Sequence, residues 1–328
     1  MSEQLSKEKN KKRIEYIDAL RGFTMILVVA NHVSSYCSVN IYITDFFELF
    51  RMPLFFFISG FILYKSEFVW SRTNLYMFLK KKFVIQIIPT IVFLGLYNFV
   101  FSIPDISPTY NGYWFTLALF MQFLLWSVTR CVFGKHEKIA LLLLLLWGIV
   151  SCIVSFKMVP VAVQYLTFPL GYLIYFLVGI VSKKYYGIVY RIMNNTSFMA
   201  VVVAMFFIIS ILFINDYLVC LPIRITLSLV GLFSIFYFFA NNALFMKETI
   251  VGKSLQFIGR RTLDIYLLHY FFIQDSMSWV RNFSIESPLI LFVISLCTAL
   301  LIIGVCLIIS KFIRTNRLLG KLLFAAKY

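Results

Sequence analysis

The sequence predicts an all-α fold, a polytopic bundle of about ten transmembrane helices with both termini cytoplasmic. Three observations predict it: the composition, a series of long apolar runs, and the alternation of basic residues between them. Hydrophobic residues make up 61% of the 328 residues and charged residues only 13%, about half the charged fraction of a typical soluble protein. This composition indicates a membrane protein with little mass outside the bilayer.

Each apolar run approaches the roughly 20 residues that a helix needs to cross a bilayer. Pro160 and Pro169 interrupt the fifth and sixth runs, and a span tolerates proline where neighbouring groups satisfy the freed backbone. The first run has no small-residue cleavage site, so we expect it to stay as a signal anchor. The ten predicted spans cover about residues 17–37, 46–64, 83–101, 112–130, 139–156, 164–182, 197–214, 221–240, 262–280 and 288–310.

Basic residues collect on one set of alternating segments. Most of the 30 Lys and Arg lie in an N-terminal tail (1–13), after the even-numbered spans, and in a C-terminal tail (311–328) that follows the membrane domain (14–310). Only Arg51, Lys157, Arg224 and Arg281 fall on the other side. By the positive-inside rule, both termini are cytoplasmic. The net charge of +16 is therefore explained by basic residues that set the topology and contact anionic lipid head groups, so no nucleic-acid partner is needed to account for it.

The first predicted span carries two polar residues on one face. Arg21 and His32 are eleven positions apart, which is three helical turns plus about 20°, and about 16 Å along the axis. An arginine at the start of a membrane helix and a histidine deep in the same stripe are costly unless they serve a function. We therefore interpret this helix as the centre of an active site inside the membrane.

A second histidine is predicted at a similar depth. His269 lies about 12 Å inside Arg261 on a span that runs in the same direction as the first. We take His269, with Asp18 at the start of the first span, as a possible second polar site. His136, the third histidine, has charged neighbours and reads as a solvated loop residue. The six cysteines show no paired spacing, so we expect small core residues and no metal site.

These residue types point to acyl or group transfer with an anionic donor. A neutral buried imidazole can take a proton from a hydroxyl. Basic residues at the cytoplasmic face would bind phosphates of the donor, although a lysine run is also an ordinary flank of a membrane span. The candidate donor-binding residues are Arg21, Lys81, Lys82, Arg260 and Arg261. The sequence lacks Walker, Gly-x-Ser-x-Gly, His-Glu-x-x-His and Cys-x-x-Cys motifs, which argues against an ATPase, a serine hydrolase and a zinc enzyme.

Four stretches in order resemble the membrane acyltransferase-3 family. The first is residues 16–32, with an Arg, ten intervening residues and a His. The second is 50–61, with Pro-Leu-Phe-Phe and Ser-Gly. The third is 113–120, an aromatic entry to a middle span. The fourth is 258–269, Ile-Gly-Arg-Arg-Thr-Leu-Asp-Ile-Tyr-Leu-Leu-His.

The resemblance implies ten membrane helices and transfer of an acyl group, usually acetyl, from cytoplasmic acyl-CoA. The implied acceptor is a hydroxyl of a cell-envelope glycan or its lipid-linked precursor. It implies that His32 is catalytic and that Arg21 helps to hold the donor or the catalytic geometry, with no permanently bound cofactor. A Phe-, Lys- and Asn-rich composition suggests a bacterial source, hence the bacterial cytoplasmic membrane.

Two departures from the family pattern concern the donor site. Gln86 stands where many members have an Arg before the proline of the third span, and lysine supplies a point charge but not a bidentate fork. Ala118 and Gln122 stand near the place where some members carry a Glu. The contacts to CoA are therefore open at these positions.

Three alternatives remain open from sequence. His32 is either a general base or a transient acyl acceptor. A saccharide transporter or flippase would use Arg21 and His32 as substrate contacts. A haem protein would use His32 and His269 as axial ligands and would be coloured.

Overall fold

The computed structural model describes residues 14–36, 42–102, 112–156, 170–212, 221–273 and 287–324, and within these ranges the chain is helical with no strand. The all-α prediction is confirmed. The helices are α1 Glu15–Tyr36, α2 Tyr42–Leu63, α3 Arg72–Lys82, a π-helical turn Phe83–Ile87, α4 Ile88–Phe101, α5 Trp114–Phe133, α6 Glu137–Phe156, α7 Leu173–Lys184, α8 Tyr186–Met193, α9 Thr196–Leu212, α10 Leu221–Asn241, α11 Ala243–Glu248, α12 Ile250–Arg260, α13 Thr262–Leu268, α14 Tyr270–Ile273, α15 Pro288–Ile313 and α16 Arg317–Phe324.

Five helical stretches in the described residues are long and apolar enough to cross a membrane. They are Arg72–Phe101, Trp114–Phe133, Glu137–Val154, Leu221–Asn241 and Leu289–Ile313. A sixth results if α7 and α8, bent by 94°, are one broken span. The chain is thus a helical membrane protein, and the count of ten spans stays a prediction. Helix α1 is not among the five because Asp18, Arg21, Asn31 and His32 lower its mean hydropathy.

The third predicted span begins earlier than the sequence indicated. Helix α3 starts at Arg72, capped by the Ser71 side chain, so Lys80, Lys81 and Lys82 lie on a helix and not in a loop. A π-helical turn follows, in which the Ile88 N–H donates to the Phe83 carbonyl. Pro89 supplies the reason, since it has no N–H to continue the α-helical register. Gln86 of this turn faces the interior of the bundle, where it lines a cavity.

The ninth predicted span is discontinuous. Helix α13 ends at Leu268, α14 begins at Tyr270, and His269 lies at the break between them. The remainder of that predicted span, residues 274–280, lies outside the described residues, as do tail residues 1–13 and Lys157 and Arg281. A break in a membrane helix is tolerated where the backbone is buried in protein or lines a cavity.

Two close helix crossings organise the bundle around α1 and α2. Where α1 meets α12, a Cβ on Gly22 would collide with the Leu255 carbonyl, and a Cβ on Gly259 with the Asp18 carbonyl. The crossing of α2 and α7 repeats this arrangement with Gly60 and Gly179. Small residues allow such backbone contact between membrane helices. The α1–α12 crossing places the polar face of α1 opposite the start of α13.

Replacing Gly259 with Ala should therefore destabilise the protein. The added methyl meets backbone atoms of α1, which cannot rotate away, and overpacking of this kind costs about 1–3 kcal/mol. Gly304→Ala in α15 is the matched control, because its Cβ would meet no atom within 4 Å. Thermal unfolding in detergent should show a lower midpoint for the first variant and an equal or higher midpoint for the second. Equal midpoints would contradict a tight α1–α12 contact.

A buried ion pair joins the α13 segment to α15. The Asp264 carboxylate accepts from Arg314 Nη2 at 2.8 and 2.9 Å and from Arg314 Nε at 3.1 Å, and it also accepts from the Ser310 hydroxyl. The Arg314 guanidinium lies 5.1 Å from the ring centroid of Phe324 in α16. Phe324 in turn contacts Phe93, with ring centroids 5.7 Å apart. The predicted C-terminal tail is therefore packed against the bundle as far as Phe324.

Candidate active site

A single cavity of about 590 Å³ passes between α1, α2, the π-helical turn, α5 and α13. Both Arg21 and His32 line it, as their helical spacing predicts. Along α2 the lining extends from Glu48 to Leu63, which corresponds to about 22 Å of helix. One end of the cavity is basic and the other carries aromatic and charged side chains. We call them the basic end and the aromatic end.

The basic end is lined by Arg21, Lys65, Lys81 and Lys82. Lys82 is one of these four cations, and its Nζ points into a group of aromatic rings. Its Nζ lies 3.8 Å from the ring centroid of Phe123, a cation–π distance. Trp70 lines the same region and meets Phe78 edge-on, with centroids 5.3 Å apart. Four cations, of which Lys82 lies over an aromatic face, with Trp70 nearby form a site suited to a large anion with a planar group.

Arg21 is held by the start of α13. Its Nη2 donates to the Thr262 hydroxyl at 2.7 Å, and Thr262 also lines the cavity. The contact depends on the α1–α12 crossing, which brings α1 against the short connection into α13. Arg21 is thus oriented along the cavity wall and not toward lipid.

His32 lies further along α1 and touches two residues from the broken helix. The Tyr270 hydroxyl is 2.9 Å from His32 Nε2, a hydrogen-bond distance. The ring centroids of His32 and His269 are 5.6 Å apart, so the two imidazoles are direct neighbours. A hydrogen bond to one ring nitrogen fixes the imidazole plane and selects its tautomer. Tyr270 therefore orients the His32 ring beside the cavity.

The hydrogen bonds of His269 define its tautomer. Its Nδ1 lies 3.0 and 2.8 Å from the carbonyls of Ile265 and Tyr266. Carbonyl oxygens only accept, so Nδ1 carries the proton and Nε2 is left as an acceptor. Among the described residues this buried Nε2 has no hydrogen-bond partner. His269 is fully buried and supports the His32–Tyr270 pair from behind, outside the cavity lining.

Gly112 makes room for Tyr270. Its φ of +74° is a conformation that favours glycine, and a Cβ there would collide with the Tyr270 ring. The Tyr266 hydroxyl donates to the Gly112 carbonyl at 2.9 Å, and the Tyr113 hydroxyl donates to the Leu267 carbonyl at 2.8 Å. These reciprocal bonds attach the start of α5 to the broken helix and keep the Tyr270 hydroxyl at His32.

The aromatic end contains Glu48, Arg51, Trp114 and Tyr172, all lining the cavity. Arg51 is buried within α2, and its Nη2 lies 3.9 Å from the Glu48 carboxylate. The Tyr172 ring stacks on Trp114 with centroids 5.5 Å apart. This end pairs a flat aromatic wall with a buried guanidinium.

The structure brings some of the predicted site residues together and separates others. Arg21, His32, Lys81 and Lys82 line the cavity, and His269 backs His32. Arg260, Arg261 and Asp18 are not among the cavity-lining residues. Arg260 is exposed, Arg261 lies 3.5 Å from Asp264, and the Asp18 backbone packs on Gly259. Gln86 lines the cavity from the π-helical turn.

Sequence reasoning missed three residues of the site. Arg51 was counted only as one of four basic residues that fall on the side opposite to most of the others. It nevertheless lies inside the predicted span 46–64. Tyr270 follows His269 directly and lies one helical turn after Tyr266. This pair of tyrosines beside His269 was visible in the sequence and could have indicated the contact. The contact of Thr262 with Arg21 joins residues 241 positions apart, and no local signal shows it.

Residues 14–310 match the model of a family described as an acyltransferase domain, the acyltransferase-3 family. The match covers the whole predicted membrane domain. Neither a curated protein nor a solved structure is significantly similar to the chain.

Proposed function

This chain belongs to the membrane acyltransferase-3 family, and from this premise we propose that it transfers an acyl group from cytoplasmic acyl-CoA to a hydroxyl of an envelope saccharide. The single observation that carries the proposal is the cavity that joins a cluster of cations to His32. The proposed acyl group is acetyl, as is usual in the family. The acceptor is a cell-envelope glycan or its lipid-linked precursor.

In the proposed reaction His32 acts as the general base. In the tautomer that this role requires, Nε2 carries the ring proton and donates it to the Tyr270 oxygen. Nδ1 then takes the proton of the acceptor hydroxyl while the oxygen forms a bond to the acyl carbon. The carbon–sulfur bond then breaks, and the leaving thiolate takes the proton back from the imidazolium. In the alternative, the imidazole attacks the acyl carbon first and passes the acyl group to the acceptor. Both routes need an imidazole held in one orientation, which the Tyr270 contact supplies.

The basic end is the proposed donor site. The phosphates of acyl-CoA would contact Arg21, Lys81 and Lys82, with Lys65 as a further cation. Its adenine would lie against the Trp70 region, and its acyl arm would extend along the cavity toward His32. Arg260 and Arg261 remain in the proposal as more distant charges that attract the anionic donor. Because the lysines are point charges and not forks, the phosphates would be held less rigidly than by arginines.

The proposed topology places the basic end in the cytoplasm. Ten membrane helices with both termini cytoplasmic account for the alternation of basic residues. The basic cavity end then opens where acyl-CoA is found, and the membrane is the bacterial cytoplasmic membrane. His269 and Asp18, the proposed second polar site, then have supporting roles, His269 behind His32 and Asp18 where α1 meets α12.

Label transfer in a purified system tests the proposal. The protein in nanodiscs is incubated with acetyl-radiolabelled acetyl-CoA and a saccharide fraction from the envelope of its source cells. We expect label to move to saccharide in an alkali-labile ester and free CoA to appear in equal amount. Mass spectrometry of surface glycans with and without the gene should show loss of the same ester. Failure of both measurements would reject the proposed acyl transfer.

A saccharide transporter is the second candidate. The broken helix at His269 favours it, because transporters form substrate sites at discontinuous helices. A transporter would move saccharide across liposomes without consuming acetyl-CoA. The same preparation therefore separates the two functions.

A further inference from the structure

The position of Arg51 carries an inference about the acceptor, and it rests on the proposed acyl transfer. Arg51 is nine residues into α2 and only 8% exposed, yet it lines the cavity that His32 also lines. A guanidinium at membrane depth is costly and marks a ligand or ion path when it faces a cavity.

We propose that Arg51 and the Trp114–Tyr172 wall form the acceptor subsite, which selects a saccharide bearing an anionic group, a carboxylate or a phosphate, near the hydroxyl that is acylated. A guanidinium matches either anion with two parallel N–H donors. The basic end already provides the cations for a donor: Lys65 follows the C-terminal end of α2, whereas Arg51 lies in its N-terminal half. Arg51, the cation at the aromatic end, is therefore assigned to the acceptor.

The aromatic wall fits the remainder of such an acceptor. Tyr172 lies between two ring partners, with centroids 4.8 Å from Phe56 and 5.5 Å from Trp114. These contacts hold Trp114 and Tyr172 flat beside the cavity. Pockets for small ligands combine apolar walls with a few placed polar groups that set orientation. A sugar ring against this wall, with its anion on Arg51, would direct a neighbouring hydroxyl toward His32.

Glu48 adds a further feature to this subsite. Its carboxylate is about half exposed and lies 3.9 Å from Arg51 Nη2. A carboxylate accepts hydrogen bonds from sugar hydroxyls, and it repels a second anion. The subsite therefore favours an acceptor with one anionic group beside hydroxyls over a polyanion.

Three probes with one sugar skeleton test the selectivity: methyl glucuronide, glucose 1-phosphate and methyl glucoside. Calorimetry with the full-length protein in nanodiscs measures their binding without any need for catalysis. Transfer from acetyl-CoA to each probe measures turnover. We expect the two anionic probes to bind and react about ten- to a hundredfold better than the neutral one, the range of a hydrogen bond to a charged group. The two anionic probes separate a uronic acid from a sugar phosphate.

Arg51→Gln should bring the anionic-to-neutral ratio close to one while transfer to methyl glucoside persists. Arg51→Lys should keep part of the preference, as a point charge without the fork. Arg317→Gln is the control. It removes an exposed cation of α16 that does not line the cavity, so the ratio should not change.

The outcomes separate the two proposals. Equal binding of anionic and neutral probes to the unmodified protein overturns the inference, whether or not transfer occurs. An equal loss of transfer to all probes in Arg51→Gln, in a variant that keeps its thermal unfolding midpoint, also overturns it and assigns Arg51 a general role. Selective binding of the anionic probes with no acyl transfer to any acceptor supports the subsite and rejects the proposed acyltransferase reaction.

Discussion

We expect His32→Gln to lower the proposed acyl transfer by about a hundred- to ten-thousandfold, the range that a positioned general base contributes. Glutamine has a similar size and can still accept or donate at the Tyr270 hydroxyl, but it takes no proton and forms no acyl-imidazole. Initial rates with acetyl-CoA and the envelope saccharide fraction measure the change. His136→Gln is the matched control, because that histidine is exposed on a short connection between α5 and α6. Activity in His32→Gln near that of the control would remove His32 from the mechanism.

Tyr270→Phe separates two roles in the proposed reaction: the orientation of the His32 ring by Tyr270 and proton transfer by His32 itself. It removes only the hydroxyl that lies 2.9 Å from His32 Nε2, and a hydrogen bond of this kind is worth about 0.5–1.5 kcal/mol, roughly tenfold or less in rate. We therefore expect a smaller loss than in His32→Gln. Label that stays on the protein in the absence of acceptor at neutral pH, and that is missing in His32→Gln, would identify the acyl-imidazole route.

Asp264→Asn lowers the free energy of unfolding by about 3–5 kcal/mol, the cost of removing one partner of a buried ion pair. The Asp264 side chain is 4% exposed and that of Arg314 is 20% exposed. The variant leaves the guanidinium of Arg314 without its carboxylate and loosens α13 from α15. Because α13 carries Thr262 and leads into His269, activity should fall together with stability. Thermal and denaturant unfolding in mixed micelles measure the effect.

Two comparisons qualify the result for Asp264. Glu48→Gln removes a carboxylate that is 47% exposed and 3.9 Å from its arginine, and such a pair contributes at most about 1 kcal/mol. The double variant Asp264→Asn with Arg314→Gln should recover part of the stability, since it also removes the guanidinium that has lost its carboxylate. A loss in Asp264→Asn no larger than in Glu48→Gln would show that this ion pair does not stabilise the bundle.

The helix break at His269 was not predictable from local sequence patterns. Apolar composition predicted a continuous span over 262–280, because hydropathy averages over about twenty residues and does not report backbone breaks. The break depends on partners distant in sequence: Tyr113 donates to the Leu267 carbonyl, and Tyr266 donates to the Gly112 carbonyl. The start of α3 at Arg72 was likewise not predicted from hydropathy, because its polar first turns are set by the Ser71 cap and not by an apolar face.

The sequence by itself determined the class of the protein and the face of α1 that matters. Bilayer solvation requires long apolar helices, and the 3.6-residue period places Arg21 and His32 on one side. The tertiary structure alone decided what meets that face. It supplied Thr262, Tyr270 and Arg51, and it joined the lysines to His32 through one cavity. The reason is physical: helical periodicity is set by neighbours along the chain, whereas a cavity is formed by close crossings such as the one at Gly22 and Gly259, whose partners no local pattern specifies.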